Sequence, residues 1–555
     1  MLLGDIRLIG KARRWIDYIL EHQHGDGWLG PKKDPHEGTG EVMLDPWPLF
    51  VLFKVFTQWQ EVTGDARIIP ALLRCAARMA ELLEEKPLHS WGRMRWADLV
   101  LSLHWLYERT GQAWLLDLAA TARTQGYDWH GHFEDFQYTE KTDPDWLAAQ
   151  SEEDCLPLHG VKNAMGVKSG AVWARQSGRW ADAQNSLRAV AVLEKYHRQV
   201  TGMFSGDEHL AGTSPVQGTE TCTVAEYLFS LEQMLAQTGE AALGDRLERI
   251  AYNALPAALS KEMWARQYDQ QPNQVLLSRD ERAWVSNGPD SNLFSLEGNF
   301  GCCTANFHQS WPKFVSHAWM RTEDGLAATL YGPCIVQTNI SGAAVTITED
   351  TRYPFGGEIL LTIGTDRPAD FFLSLRVPAW AEEAVIEING VRQSAPRTGT
   401  FHALRRTWQD GDRVRLTLPL TVRREARAGG AVSLLRGPLV LALAIGEQFE
   451  RVGGTPPAAD WAVSPTTPWY YALIGGGLNA IGEIHEASLS PLPWSRQSPP
   501  VSMTMSAQRV VWALEHNSAA PPPPDPVPED GRAETVTLIP YGSTTLRIAE
   551  FPVIP

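Results

Sequence analysis

Apolar residues recur at every third or fourth position through most of the first 320 residues, which is the spacing of one face of an α-helix. Amphipathic helices are therefore predicted over 6–22, 48–62, 69–85, 94–109, 159–176, 181–197, 221–237 and 243–256. The glycine that often ends a helix in a left-handed conformation follows four helical segments, at Gly64, Gly111, Gly178 and Gly239. Helical hairpins that repeat in this way, joined by long loops, predict an α/α barrel, with a plain helical array as the alternative.

Near residue 325 the period shortens to two, because apolar and polar residues alternate as they do in half-buried strands. Strands are predicted over Ala343–Thr348, Glu358–Ile363, Phe371–Val377, Ala384–Ile388 and Arg413–Leu418. Turn residues separate these segments, so they predict an antiparallel β-sandwich. A glycine- and proline-rich joint at 453–457 then precedes further short strands, which include Glu534–Pro540 and Thr545–Ala549.

These patterns, and a length of 555 residues, predict three domains. An α/α-barrel domain is expected over 1–320, a β-sandwich domain over 321–454 and a second small β domain over 455–555.

The formal net charge of −16 makes nucleic acid and anionic membrane surfaces unfavourable partners, so neither is expected. No stretch approaches the roughly 20 consecutive apolar residues of a membrane span. Charged residues also interrupt the N-terminal segment where a signal peptide needs an apolar centre, so the chain as printed is expected to be cytoplasmic. The 22 tryptophans suit stacking on sugar rings, although packing in the core is the commoner use of any one of them.

Six cysteines are too few and too unevenly spaced for a disulfide framework. Three of them join a carboxylate, because Glu220-Thr221-Cys222 and Cys302-Cys303 each open a predicted helix, where the helix dipole lowers a thiol pKa. Three thiolates and a carboxylate form a plausible tetrahedral zinc site. From the residues alone, a closed structural zinc site, a catalytic zinc–thiolate site and a cluster without metal all stay open.

The acidic pair Asp207-Glu208 lies shortly before Glu220 in the sequence. In isolation such a pair is most often a solvated loop or a helix cap. Its closeness to Glu220 favours a second role, because a proton donor beside a nucleophile is the minimum apparatus for cleaving a glycoside.

At these residues the chain resembles the β-L-arabinofuranosidases of glycoside hydrolase family 127 and of the related family 146. The resemblance covers nearly the whole chain and is carried by Gly206-Asp207-Glu208, Glu220-Thr221-Cys222, Leu247-Glu248-Arg249, Tyr252-Asn253, Gly301-Cys302-Cys303 and Thr537–Gly542. The most specific of these motifs is Glu-x-Cys followed about 80 residues later by Cys-Cys. The fold that the resemblance implies is an (α/α)6 barrel followed by antiparallel β-sandwich domains.

The resemblance also implies roles for individual residues. Four of them would be ligands of a zinc ion (Zn²⁺), namely Glu220, Cys222, Cys302 and Cys303. Three others fall where members of the family line the sugar pocket, namely His159, Glu248 and Tyr268. Trp96 and Asp98 are expected in the same pocket, but they stand where some members carry His and Glu. The loop between Glu208 and Glu220 is also shorter than in the best-known members, so the pocket departs from the family pattern.

The implied reaction is the retaining hydrolysis of a β-L-arabinofuranoside in a plant-type, arabinose-containing glycan or oligosaccharide. Cys302 would be the nucleophile, and Glu208 would be the acid/base. Two alternatives stay open: a non-catalytic carbohydrate-binding protein with structural zinc, and an α/α-barrel glycosidase or lyase for another sugar. A homodimer is one option for the assembly. The predicted helices are fewer than an (α/α)6 barrel contains. Either the printed start falls inside the family's barrel or the barrel is completed differently, so an export signal upstream stays open.

Overall fold

The computed structural model of the protein describes residues 2–32, 44–475 and 482–554. The first of its two compact units comprises Met1–Gln137 and Ala149–Val192, and the second comprises Tyr138–Ala148 and Leu193–Pro555. None of the helices in the described ranges combines the length and the apolar character that a bilayer span requires.

The first unit is helical. Its α-helices, of which the last ends in the second unit, are Ile6–Glu21, Trp47–Thr63, Ile68–Glu85, Ser90–Met94, Trp96–Thr110, Trp114–Gln125, Trp129–Glu134, Glu152–Cys155, Gly160–Gly166, Ser169–Ser177 and Trp180–His197. Gly64, Gly111 and Gly178 each end a helix with a φ of 66°, as predicted. A residue with a Cβ is strained at that angle, so glycine suits the point where these helices stop.

The helix predicted over 159–176 is interrupted, since Gly160–Gly166 and Ser169–Ser177 are separate helices. Lys168 lies in the break with its side chain fully buried, and its Nζ is 2.9 Å from Oδ2 of Asp98. This ion pair joins positions far apart in the sequence. The local spacing of apolar residues therefore carries no signal for the interruption.

The second unit begins with helices and ends in sheets. Its α-helices are Pro144–Ala148, Thr221–Thr238, Ala241–Ala251, Ala254–Ala257, Cys302–Phe307 and Ser310–Ser316. Among these, Thr221–Thr238 ends at Gly239 with a φ of 67°, which confirms the fourth predicted glycine cap. A short sheet interrupts the helical part, with the strand order His209–Leu210, Gly206–Asp207, Thr219–Glu220 and Asp269–Gln270.

Three larger sheets, with mostly antiparallel pairing, follow. A four-stranded sheet has the order Thr400–Trp408, Ala369–Val377, Gly325–Ala328 and Trp319–Thr322. A six-stranded sheet has the order Val391–Arg392, Val385–Ile388, Arg413–Thr417, Glu358–Thr365, Ala343–Thr351 and Cys334–Ile340. An eight-stranded sheet has the order Val422–Ala426, Val432–Arg436, Leu439–Leu443, Pro528–Pro540, Val501–Val510, Tyr471–Ile474 and Val553–Ile554, with Glu483–Glu486 beside Val501–Val510. Two-stranded hairpins are formed by Glu447–Thr455 with Ala458–Pro465 and by Leu514–Glu515 with Ser518–Ala519.

The eight-stranded sheet combines strands from both sides of residue 454, since Leu439–Leu443 pairs with Pro528–Pro540. The domain boundaries at 320 and 454 stay predictions. The strand predicted over Thr545–Ala549 is wrong, because only an isolated bridge between Arg547 and Gln274 forms there. The buried Arg547 instead donates hydrogen bonds to backbone carbonyls, which is a tertiary role that an alternating pattern does not reveal.

The long segment 265–300 packs against the eight-stranded sheet and against the hairpin strand Ala458–Pro465. Val275, Leu277 and Phe294 are fully buried and belong to the same apolar core as the sheet strands. Backbone bridges join Leu277 to Val463 and Phe294 to Trp461. The β region therefore supports the segment that leads to the paired cysteines.

A buried ion pair joins a helix of the second unit to the sandwich strands. The carboxylate of Glu248 lies 2.5 Å from the guanidinium of Arg376, and both side chains are fully buried. Glu248 also accepts a hydrogen bond of 2.9 Å from the backbone N–H of Tyr331 and another from the hydroxyl of Tyr353. Arg376 forms a second ion pair with Asp245. In the described part of the chain, the polar partners of the Glu248 carboxylate are thus Arg376, Tyr331 and Tyr353, which lie in or beside the strands of the β region.

Arg376→Met is expected to lower the free energy of unfolding by about 3–5 kcal/mol, because it leaves the Glu248 carboxylate buried without its partner. Arg415→Met is the matched control, since Arg415 and its partner Glu358 are 47% and 61% exposed. Its expected effect is within about 1 kcal/mol. Urea unfolding measures both, and equal effects would contradict the role assigned to the buried pair.

Candidate active site and metal centre

The short sheet of the second unit brings three predicted site residues together. Glu208 occupies the tight turn in which Asp207 pairs with His209. Glu220 ends the neighbouring strand and pairs with Asp269, the residue after Tyr268. The φ of Glu208 is 82°, a left-handed value that residues other than glycine seldom adopt. Backbone strain of this kind concentrates at functional positions.

Both cysteine motifs begin helices, as predicted. Glu220 takes the N-cap position of Thr221–Thr238, and the N–H of Thr221 donates to the carbonyl of Tyr268 at 2.9 Å. Cys302 is the first residue of the helix Cys302–Phe307. The free N–H groups of a helix start favour negative charge on sulfur there.

The three sulfurs and one carboxylate form a compact cluster. Their four possible ligand atoms all lie within 4.8 Å of one another. Sγ of Cys222 is 3.3 Å from Sγ of Cys303, which is 3.7 Å from Oε1 of Glu220. Cys222, Cys303 and Glu220 are buried, whereas Cys302 is exposed. Of these three sulfurs, only that of Cys302 can meet a molecule that arrives from solvent.

The cluster concentrates negative charge on that exposed sulfur. Hydrogen bonds from Cys222 and Cys303, partly opposed by burial, lower the pKa of Cys302 to about 3. Burial raises the pKa of Cys303 well above its ordinary value. Burial, followed by the charges of Glu208 and Cys302, likewise raises the pKa of Glu220. Four such groups at this spacing cannot all carry charge unless a cation joins them.

Tyr268 links the exposed sulfur to Glu208. Its hydroxyl donates a hydrogen bond of 2.7 Å to Oε2 of Glu208 and lies 3.9 Å from Sγ of Cys302. Burial, together with the charges of Glu220 and Glu208, raises the pKa of Tyr268, so its phenol stays a hydrogen-bond donor. One hydroxyl group therefore lies between the exposed sulfur of Cys302 and the carboxyl group of Glu208.

Two further carboxyl groups belong to the same short sheet as the turn at Glu208, those of Asp207 and Asp269. Asp207 and Asp269 are fully buried, and burial raises both pKa values well above the ordinary range. The backbone of Gly218 lies between them, and a Cβ there would come within 2.8 Å of Asp207 and 3.1 Å of Asp269. Oδ2 of Asp269 accepts a hydrogen bond of 2.5 Å from Asn287. These contacts hold the turn that carries Glu208 against its neighbours.

Glu248 is expected from the resemblance to contact sugar. In the described part of the chain, its carboxylate has Arg376, Tyr331 and Tyr353 as polar partners. Its contact with sugar stays a prediction.

The three other predicted pocket residues belong to the first unit. His159 caps the helix Gly160–Gly166, where its Nδ1 accepts a hydrogen bond of 3.2 Å from the N–H of Val161. Trp96 is buried and forms part of the wall of a cavity of about 610 Å³ within that unit. Asp98 is clamped between Lys168 and Lys54. Contact of these three residues with sugar stays a prediction.

Asp98 illustrates how strongly a buried charge depends on its partners. Burial alone would raise the pKa of its carboxyl, but the ammonium groups of Lys168 and Lys54 outweigh burial and hold the pKa below its ordinary value. A carboxylate engaged by two lysines is poorly disposed to take up a further partner.

Two residues near the cluster were not anticipated from the sequence. Arg266 is fully buried and donates hydrogen bonds to the loop that precedes Cys302. Phe300 is 58% exposed, and its ring centroid lies 6.0 Å from that of Tyr268. The only available signal was their place in the long segment 265–300, because neither belongs to a recognisable motif.

Comparison with known protein families shows to which family the chain belongs. Residues 2–316 match the family model described as the catalytic domain of GH127 β-L-arabinofuranosidases. That match covers more than half of the chain. The chain belongs to the GH127 family of β-L-arabinofuranosidases. Residues 325–420 match the model of the GH127 middle domain. The protein is thus a glycoside hydrolase that acts on carbohydrate, and the non-catalytic alternative is set aside.

Solved structures share the fold of this GH127 enzyme. A glycoside hydrolase aligns with a TM-score of 0.72 at 16% identity over 99% of this chain and 89% of its own. A GH127 β-L-arabinofuranosidase from Geobacillus stearothermophilus T6 aligns with a TM-score of 0.69 at 20% identity over 99% and 87%. A GH127 β-arabinofuranosidase aligns with a TM-score of 0.65 at 16% identity over 98% and 85%. They confirm the expected fold class of an (α/α)6 barrel with β-sandwich domains. No curated protein matches the chain.

The donor set of the GH127 enzyme fits a metal ion. Three sulfurs and one carboxylate oxygen converge within 4.8 Å, as tetrahedral coordination requires. Oε2 of Glu220 is buried and, in the described part of the chain, accepts no hydrogen bond. A buried polar atom without a partner is costly, and a cation beside it would remove that cost.

Purified GH127 enzyme is expected to bind one metal ion per chain, and Cys303→Ser is expected to lose most of it. The reason is that Cys303 is fully buried and contacts two other members of the cluster. Cys334→Ser is the matched control, because Cys334 is half-buried in a strand and contacts Glu349 instead. Elemental analysis after desalting gives the stoichiometry. Equal metal content in the wild type and both variants would argue against this cluster as the site.

Proposed function

We propose that the chain is a retaining β-L-arabinofuranosidase in which Cys302 is the nucleophile and Glu208 is the acid/base. One observation carries the proposal. Cys302 is the exposed thiol of the cluster, and the hydroxyl of Tyr268 lies between its sulfur and the carboxyl of Glu208. A retaining glycosidase needs a nucleophile and a proton donor at such a short separation.

The proposed metal is Zn²⁺, held by Glu220, Cys222, Cys302 and Cys303. Three sulfur ligands and one oxygen suit this ion better than the hard cations, which prefer oxygen. Bound there, zinc would supply positive charge that keeps the sulfur of Cys302 deprotonated at neutral pH. Four protein ligands usually make a structural site, but here one ligand is exposed, and this supports a catalytic use.

In the first half of the reaction, the sulfur of Cys302 attacks the anomeric carbon of the arabinofuranosyl group. The protonated carboxyl of Glu208 gives its proton to the glycosidic oxygen as the bond between carbon and oxygen breaks. The aglycone leaves as an alcohol, and the sugar stays joined to Cys302 through a C–S bond.

In the second half, the carboxylate of Glu208 takes a proton from water while the water oxygen attacks the anomeric carbon. The C–S bond breaks, and its electron pair returns to the sulfur of Cys302. Two inversions at the same carbon retain the configuration. The hydrogen bond from Tyr268 holds the carboxyl of Glu208 in one orientation throughout.

The substrate class follows from family membership, which supports a β-L-arabinofuranoside in an arabinose-containing glycan or oligosaccharide. The exposed ring of Phe300 beside the cluster offers an apolar face against which the leaving sugar can rest.

Cys302→Ser is expected to reduce turnover of aryl β-L-arabinofuranosides by about 10³-fold or more, because a serine hydroxyl is a much weaker nucleophile than a thiolate at neutral pH. Cys334→Ser is expected to keep the wild-type rate, which controls for the loss of a thiol. Initial rates with matched protein concentrations measure both. Near-wild-type turnover by Cys302→Ser would falsify the nucleophile assignment.

Glu208→Gln is expected to slow cleavage of alkyl or sugar leaving groups by about 10²–10⁴-fold, since the amide cannot donate the required proton. With a dinitrophenyl leaving group, bond cleavage needs no proton, so the burst that reports it should be largely preserved. Comparing the burst and steady-state rates for the two substrate types measures this. An equal loss of bond cleavage for both types would exclude Glu208 as the general acid.

A further inference from the structure

The loop that leads to Cys302 is folded around one buried guanidinium. Arg266 donates to the carbonyl of Leu296 at 3.1 Å, to that of Gly298 at 2.9 Å and to that of Phe300 at 2.5 Å. Its Nε donates to Oγ1 of Thr304 at 3.1 Å. A planar fork with five N–H donors can satisfy such a ring of acceptors, and a side chain with a single donor cannot.

The main chain of Arg266 holds the start of the same loop. Its N–H donates to the carbonyl of Ser295 at 3.1 Å, and its carbonyl accepts from the N–H of Ser295 at 2.9 Å. Oγ of Ser295 accepts a hydrogen bond of 3.0 Å from the N–H of Gly298. One residue thus ties the beginning of the loop, its middle and, through Thr304, the helix that carries both cysteines.

No acidic group of the described residues pairs with the guanidinium of Arg266. In the described part of the chain, all its polar contacts are to the loop carbonyls and to Thr304. Arg266 is 2% exposed, and its guanidinium carbon lies 5.7 Å from the ring centroid of Tyr268. Its side chain therefore contacts both the cysteine loop and the tyrosine that bonds Glu208. Burying a charged guanidinium costs free energy, and the contacts that it makes with the loop offset this cost.

We infer that Arg266 is a positioning residue, which sets the places of Cys302 and Cys303 by holding the loop 296–300. The inference rests on the proposed zinc centre and adds a residue outside its four proposed ligands. Its physical basis is local. Without the guanidinium, the carbonyls of Gly298 and Phe300 lose their donor, the carbonyl of Leu296 keeps only the hydroxyl of Thr304, and the loop opens toward water.

Arg266→Met is expected to weaken zinc binding by about 10- to 100-fold, the usual cost of removing a group that orients metal ligands. Arg266→Lys keeps the charge with fewer well-placed donors, so its affinity should lie between that variant and the wild type. Competition with a chromogenic chelator measures the affinity. Replacement of zinc by cobalt adds a spectroscopic test, because charge-transfer bands from sulfur to cobalt should weaken in Arg266→Met.

Arg282→Met is the matched control. Arg282 also holds a loop of the second unit through backbone carbonyls, those of Leu276, Ser278 and Asp280, but that loop carries no cysteine. Both methionine variants should lose stability, and only Arg266→Met should lose zinc affinity and the cobalt bands.

Equal zinc affinity in Arg266→Met and Arg282→Met would overturn the inference while leaving the proposed function intact. A wild-type enzyme that binds no zinc would contradict the proposed centre itself, and the inference with it. If Arg266→Met does not fold, Arg266→Lys decides: wild-type affinity and bands would overturn the inference, and weakened ones would support it.

Discussion

Three sulfur atoms and a carboxylate within 4.8 Å of one another, mostly out of contact with water, define the constraint on which this site depends. Buried anions at such spacing repel one another and resist ionisation, which the raised pKa values of Glu220 and Cys303 express. Either most of the groups stay neutral, or a cation joins them. The second solution lets the neighbours of Cys302 ionise while Cys302 itself stays a thiolate at neutral pH, which is the property that a cysteine nucleophile needs.

The surrounding structure holds the residues of the cluster in place from several sides. The short sheet fixes Glu220 beside the strand that follows Tyr268, and the turn at its edge places Glu208. The β region supplies the apolar core under the segment 265–300, which runs from Tyr268 almost to Cys302. Arg266 then shapes the last part of that segment. Ligands that must converge on one point need this degree of support, since small displacements weaken coordination and catalysis alike.

The exposure of Cys302 divides the cluster into two parts with different tasks. Cys222 and Cys303 are buried, and their sulfurs lie close to each other and to Glu220, so they suit holding an ion. Cys302 borders solvent and lies near the hydroxyl of Tyr268, so it suits meeting a substrate. This division supports the proposed catalytic use of the centre.

Much of the local structure could be predicted because short-range rules govern it. Glycine at 64, 111, 178 and 239 caps helices for a steric reason that any sequence shows, and the cysteine motifs do begin helices. The two wrong predictions of secondary structure share a different cause. The break at Lys168 and the absence of a strand at Thr545–Ala549 both accompany contacts of a buried cation with distant residues. Distant residues also decide the surroundings of Glu248, whose partners Arg376 and Tyr353 lie more than a hundred positions away, and its contact with sugar stays a prediction.

The sequence by itself determined which residues are candidates for the site: the residue types at 208, 220, 222, 302 and 303, in that spacing, carry the family resemblance and suit a thiolate metal centre. Only the tertiary structure decided which sulfur faces solvent, which hydroxyl lies between it and the carboxyl group, and which arginine shapes the loop. The reason is physical. Residue identity limits what a group can do, but exposure, pKa and reach depend on neighbours that folding brings from distant parts of the chain.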